Sequence, residues 1–183
     1  MLTIYERRVE QEWRLLQSLA GANPGVVEVG EKRPSDNGEV FTFNLFKTGA
    51  LIETPEGLTL VETHRVAIHF PRFFPSIPLE ASLARPVFHP NVNPENGFVC
   101  LWNRFSPGDT VVEAVAQLQR VITWQLVNQE HDHRMQPGAL DWFNDPSRRT
   151  HLPLACQSVC KPEGFGLARS YRQLPPDIRR RLS

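Results

Sequence analysis

Between Thr3 and Ala20 apolar side chains recur at Tyr5, Val9, Leu16 and Leu19, with Trp13 and Leu15 beside them, while Glu6, Arg7, Arg8, Glu10 and Arg14 take the other side. The spacing predicts an amphipathic opening helix, broken by Asn23-Pro24-Gly25. Three stretches rich in β-branched and aromatic residues follow, Val26–Arg33, Glu39–Lys47 and Thr59–Phe70, separated by the turn-forming clusters 34–38 and 54–57. They read as consecutive antiparallel strands, with a fourth at Leu79–Arg85. No regular period survives from Pro86 to Gly108, so a long loop containing Phe, Val, Leu and Trp interrupts the domain, and loops of that length are commonly functional. Asp109 or Thr110 can cap a helix running to about Val127, whose stripe is Val111, Val115, Leu118, Val121, Ile122 and Leu126. A shorter helix is expected at Pro137–Asn144, stopped by Pro146.

Helix, four-stranded antiparallel meander, long loop and then helices is an α+β order. The expected division is a domain over residues 1–149 and a proline- and arginine-containing C-terminal extension over 150–183.

The chain has 183 residues, 40% hydrophobic and 22% charged, which fits one folded core and excludes a disordered or collagen-like chain. Twenty basic residues against twenty acidic ones remove the charge footprint of a non-specific nucleic-acid binder, so another protein is the expected partner. No apolar run nears the roughly 20 residues of a membrane span and no signal-peptide core is evident, so no membrane association and a cytoplasmic location are expected. The cations divide into 17 Arg and only Lys32, Lys47 and Lys161, which leaves few primary amines.

Three cysteines in such a chain are expected to be reduced thiols. Cys156 and Cys160, with His151 nearby, supply too few ligands for structural zinc, and neither a metal nor a cofactor is expected. Cys100 differs from these two. It follows Pro71, Pro75 and Pro78 at a strand exit and the turn His89-Pro90-Asn91, in a glycine-preceded apolar loop. An exposed thiol in rigid surroundings is a candidate nucleophile; a buried small hydrophobe is the plainer reading of a free cysteine.

The segment Ile68–Thr110 resembles the ubiquitin-conjugating enzyme family in four features taken in order: the proline-rich strand exit, His89-Pro90-Asn91, Cys100-Leu101, and Phe105-Ser106-Pro107 with Thr110. The resemblance spans roughly residues 3–145. It implies that Cys100 accepts a ubiquitin-like protein as a thioester from an activating enzyme and yields it to a lysine amine of a protein substrate. Thioester exchange needs only the thiolate, of which an unperturbed thiol of pKa about 8.5 supplies a few per cent at neutral pH. Aminolysis asks more, because an oxyanion develops and an ammonium of pKa about 10.4 must lose its proton.

By the same resemblance Asn91 either donates to the oxyanion or braces the loop, and His89, Pro90 and Leu101 support that loop. The acidic gate residue matches Asp132 within Glu130-His131-Asp132-His133-Arg134, with His131 or His133 as alternatives and a plain solvated charge cluster also open. Activating-enzyme docking is expected on the opening helix through Arg7, Arg8 and Arg14.

The chain departs from the family at Ser76, where ligases usually meet a bulky residue, and at Trp102, which stands where an acidic residue is common. With the arginine-rich composition, these departures resemble bacterial members, several of which serve antiviral defence. Two other classes are kept: a non-catalytic variant acting as a binding module, and an unrelated cysteine hydrolase pairing Cys100 with His69, His89 or His131.

Overall fold

The computed structural model describes residues 2–102, 105–129 and 134–163. The opening helix, α1, runs Ile4–Ala22 behind a capping box in which Thr3 and Glu6 satisfy each other's backbone amides. Five strands then form one antiparallel sheet: β1 Val27–Ser35, β2 Gly38–Leu45, β5 His64–Pro71, β6 Glu80–Leu83 and β7 Phe98–Val99, in that spatial order. The expected meander of four is therefore present, and the two-residue β7 extends it immediately before Cys100. The stretch Thr59–Phe70, expected as one strand, is two. Its first part belongs to β4 Gly57–Val61, which pairs with β3 Ala50–Thr54 as a separate hairpin, and Glu62-Thr63 breaks the chain before β5 rejoins the sheet.

The sheet's inner face carries Phe41, Phe43, Ile68 and Phe70, all fully buried, and Trp13 of α1 meets Phe41 edge-on at 4.9 Å between ring centres. Each such side chain stabilises the fold by roughly 1.5–3 kcal/mol relative to exposure. Helix α2, Val111–Ile122, begins at the Thr110/Glu113 capping box and lays Val111, Val115, Leu118, Val121 and Ile122 on the same core. It stops five residues before the expected Val127, because Thr123 turns its hydroxyl back to the Gln119 carbonyl and Trp124 takes a left-handed backbone (φ 65°). Helix α3 spans Pro137–Asn144.

One buried polar contact ties α1 to α2, and a second pairs residues within α1. Glu12 lies on the apolar side of α1, wholly buried, and accepts the Val111 N–H at 2.7 Å and the Arg8 guanidinium at 2.9 Å. Its carboxylate thus sits at the positive end of α2. Burial raises its pKa to about 7 against the opposing pull of Val111 and Arg8.

Residues 152–160, at the start of the expected extension, run in extended form along the domain. Asn23 grips Cys160 at both peptide groups (2.6 and 2.8 Å), and Gln119 takes the Gln157 carbonyl and the Val159 N–H (3.0 and 2.9 Å). Backbone bonds from Leu154 to Thr123, Gly49 to Ala155 and Gln157 to Lys47 complete this strap.

Candidate active site

Cys100 sits one residue beyond β7, half-buried, with its thiol 4.0 Å from the Trp102 carbonyl. Burial pushes the thiol above the usual cysteine range, and a backbone hydrogen bond at Trp102 draws it partly back. Upstream, Gly97 makes the turn into β7 at φ 71°, where a Cβ would fall on the Leu83 carbonyl, so only glycine fits.

The loop 87–92 is packed beneath Cys100. Asn91 is buried; its amide Nδ2 donates to the Cys100 carbonyl at 3.3 Å, its Oδ1 accepts the Asn128 N–H at 3.0 Å, and its backbone carbonyl accepts the Cys100 N–H at 2.8 Å. His89 is fully buried. Its Nδ1 accepts the Asn91 N–H at 3.1 Å, and its ring meets Trp124 edge-on at 4.5 Å. Desolvation lowers its pKa to about 3, so the imidazole is neutral and sealed. Pro90 is buried, with its carbonyl accepting the Met135 N–H, and buried Leu101 gives its carbonyl to Gln117 of α2 at 3.1 Å.

A second apolar cluster props the loop from behind. Phe88, Trp124 and Ala139 form it with Trp142 and Phe143 of α3, and Trp124 stacks on Phe143 at 5.6 Å. On the rim, Trp102 meets Phe105 at 6.0 Å between ring centres.

The structure therefore brings together Cys100, Asn91, His89, Pro90 and Leu101. Asp132, with His131 and His133, lies outside the described residues. Of the three arginines expected on the polar side of α1, Arg7 and Arg14 are exposed, whereas Arg8 turns inward to Glu12 and lies over the Phe74 ring at 5.6 Å. That is a correction to its expected placement. It follows from Glu12, a charge on the apolar stripe that must be paired where it is buried. His69 pairs with Glu80 across the sheet at 3.5 Å. Among the described residues no group of three or more His, Cys, Asp or Glu could hold a metal ion, and no helix is long and apolar enough to cross a membrane.

The sequence reading missed Gln117, Trp124, Asn128 and Gln136. Gln136 gives Nε2 to the carbonyls of both Val87 and Val92 at 2.8 Å. Glutamines in loops and on helices carry no periodic signal that marks such contacts.

Comparison with solved structures identifies the architecture. A structure described as a ubiquitin conjugating enzyme of Trypanosoma cruzi superposes with a TM-score of 0.53 at 16% identity, covering 81% of this chain and 95% of that one. Another, from Plasmodium yoelii, gives 0.52 at 14% identity over 77% of this chain and 86% of that one. The fold is that of the ubiquitin-conjugating enzymes. No family model and no curated protein sequence matches the chain.

Proposed function

We propose that this chain carries a ubiquitin-like protein as a thioester on Cys100, receives it from an activating enzyme, and transfers it to a lysine amine of a protein target. The observation that carries the reading is the position of Cys100: a half-buried thiol at the end of β7, its peptide locked to Asn91, within a ubiquitin-conjugating fold. In loading, the Cys100 thiolate attacks the incoming thioester carbonyl and the activating enzyme's thiolate leaves. In discharge, the target amine attacks, the Cys100 sulfur departs as thiolate, and the ammonium proton passes to a base. Asp132 is the proposed base or orienting carboxylate; Asn128 and Met135, on either side of its segment, are hydrogen bonded to Asn91 and Pro90, which supports that assignment. The departure at Trp102 and the arginine-rich composition resemble bacterial members of the family, so a bacterial conjugation system is the proposed setting.

Mixing the protein with activating enzyme, ATP and the ubiquitin-like protein should give an adduct cleared by reductant. Cys100→Ser should yield a reductant-resistant ester or none, and C156S/C160S should keep the thioester. Adduct on Cys100→Ser but not on C156S/C160S would sink the assignment. A hydrolase would instead release free acid. The buried, neutral His89 and the sheet-paired His69 give no support to that alternative.

A further inference from the structure

Two carbonyls flank the turn beneath Cys100, that of Val87 on entry and that of Val92 on exit, and one side chain reaches both. Gln136 Nε2 donates one hydrogen to each at 2.8 Å. Its amide orientation is fixed, since the flipped form would set its own oxygen against two carbonyls. Gln136 is also the N-cap residue of α3, a position whose side chain commonly bonds its own helix, yet it makes no capping bond. The neighbouring Met135 N–H binds the Pro90 carbonyl at 2.8 Å, so residues 135 and 136 together hold the turn at its entry, apex and exit.

We propose that Gln136 is a positioning residue for the chemistry at Cys100, acting through Asn91. Pinning Val87 and Val92 fixes the span of the turn, and the span sets where Asn91 presents its amide to the Cys100 peptide. Without that pin the turn can widen, the Asn91 to Cys100 bonds open more often, and the acyl group meets a less ordered set of donors. The α3 aromatics reinforce the hold through Trp124 and His89. The inference rests on the reading of Cys100 as an acyl carrier.

The test uses the full chain in a C156S/C160S background, with Gln136→Leu and Gln136→Glu. Amide hydrogen exchange needs no partner protein. In both variants the N–H groups of Asn91, Val92, Cys100 and Asn128 should exchange about tenfold faster or more, with interior amides of β2 and α2 unchanged. Cys100 is then charged chemically with acetylglycine from its thiophenyl ester, releasing thiophenol, and discharged to free lysine. The kcat for discharge should fall about tenfold while charging and the KM for lysine stay within about twofold. Unchanged exchange at those four amides, exchange that rises throughout the chain, or unaltered discharge would each overturn the proposal. Failure of wild-type protein to load from an activating enzyme would sink the carrier reading alone, since exchange and chemical discharge still report on Gln136.

Discussion

Asn91 and Cys100 hold each other at two points: the Cys100 N–H donates to the Asn91 carbonyl at 2.8 Å, and the Asn91 amide returns a bond to the Cys100 carbonyl at 3.3 Å. The amide oxygen is committed to the Asn128 N–H. Asn91 therefore braces the loop in this structure, and a donor role in discharge would need one of the two hydrogens of its amide nitrogen to reach the oxyanion. Asn91→Ala should cost about 1–3 kcal/mol by orphaning buried groups and slow lysine discharge roughly 100- to 1000-fold. Asn91→Asp keeps an acceptor for Asn128 but loses the donor. Thermal melting with single-turnover discharge separates the two: a folded, loadable Asn91→Asp protein with wild-type discharge would exclude the donor role.

The raised Cys100 thiol sets a pH dependence. Since burial favours the neutral form, the thiolate fraction should climb about tenfold per pH unit from pH 7 and reach its midpoint at a higher pH than an ordinary thiol, whose midpoint lies near about 8.5. Alkylation of Cys100 by iodoacetamide, followed by peptide mass spectrometry, measures this directly. A plateau below pH 8 would contradict it.

Glu12 gives stability the opposite slope to an ordinary ion pair. With its pKa raised from 4.5 to about 7, the folded state holds a proton that the unfolded chain releases, so its contribution is full below about pH 4.5 and is lost as pH rises through 7. The span amounts to on the order of 3 kcal/mol. Glu12→Gln keeps an acceptor for Val111 and cannot titrate, so its urea stability relative to wild type should improve between pH 4.5 and 7. A constant difference across that range would refute the buried titration.

Charge reversal on α1 should be made at Arg7 and Arg14, both exposed, and not at Arg8, whose loss would strand Glu12. R7E/R14E should slow loading, most at low salt, and leave discharge of preloaded protein as it was. Loading kinetics equal to wild type would remove this side of α1 from the activating-enzyme interface.

Self-modification has few sites open to it. Lys32 is paired with Glu10 at 2.9 Å and Lys161 lies 3.7 Å from Glu113, while Lys47 is exposed just after β2. Charged protein incubated without target should acquire acyl groups slowly and first at Lys47, as mapped by mass spectrometry. Rapid labelling at all three lysines would contradict this.

The periodic parts of the chain were legible because burial writes them into the sequence. The stripe Val9, Leu16, Leu19 marked α1, Asp109 or Thr110 as a cap marked the start of α2, and Pro137 and Pro146 bracketed α3. The His89-Pro90-Asn91 and Cys100-Leu101 elements were readable as motifs, and the fold brings them together. What escaped was decided by single long-range polar contacts. Nothing local says that Trp124 turns left-handed, that Gln136 reaches Val87, or that Glu12 faces inward to cap a helix 99 residues away. The break at Glu62-Thr63 was hidden because β4 and β5 share one composition while pairing in different sheets.

The strap at 152–160 is bound by side chains from two separate helices, Asn23 at the end of α1 and Gln119 within α2. The Asn23 grip closes over 137 residues of chain, a separation whose loop entropy is met late in folding. The expectation, testable by φ-values near zero at Asn23→Ala and Gln119→Ala, is that the strap docks after the main barrier. Interactions formed that late leave the rate of folding almost untouched and fall instead on the rate of opening. On that expectation the strap adds little to how fast this molecule forms and bears instead on how long, once formed, it stays shut.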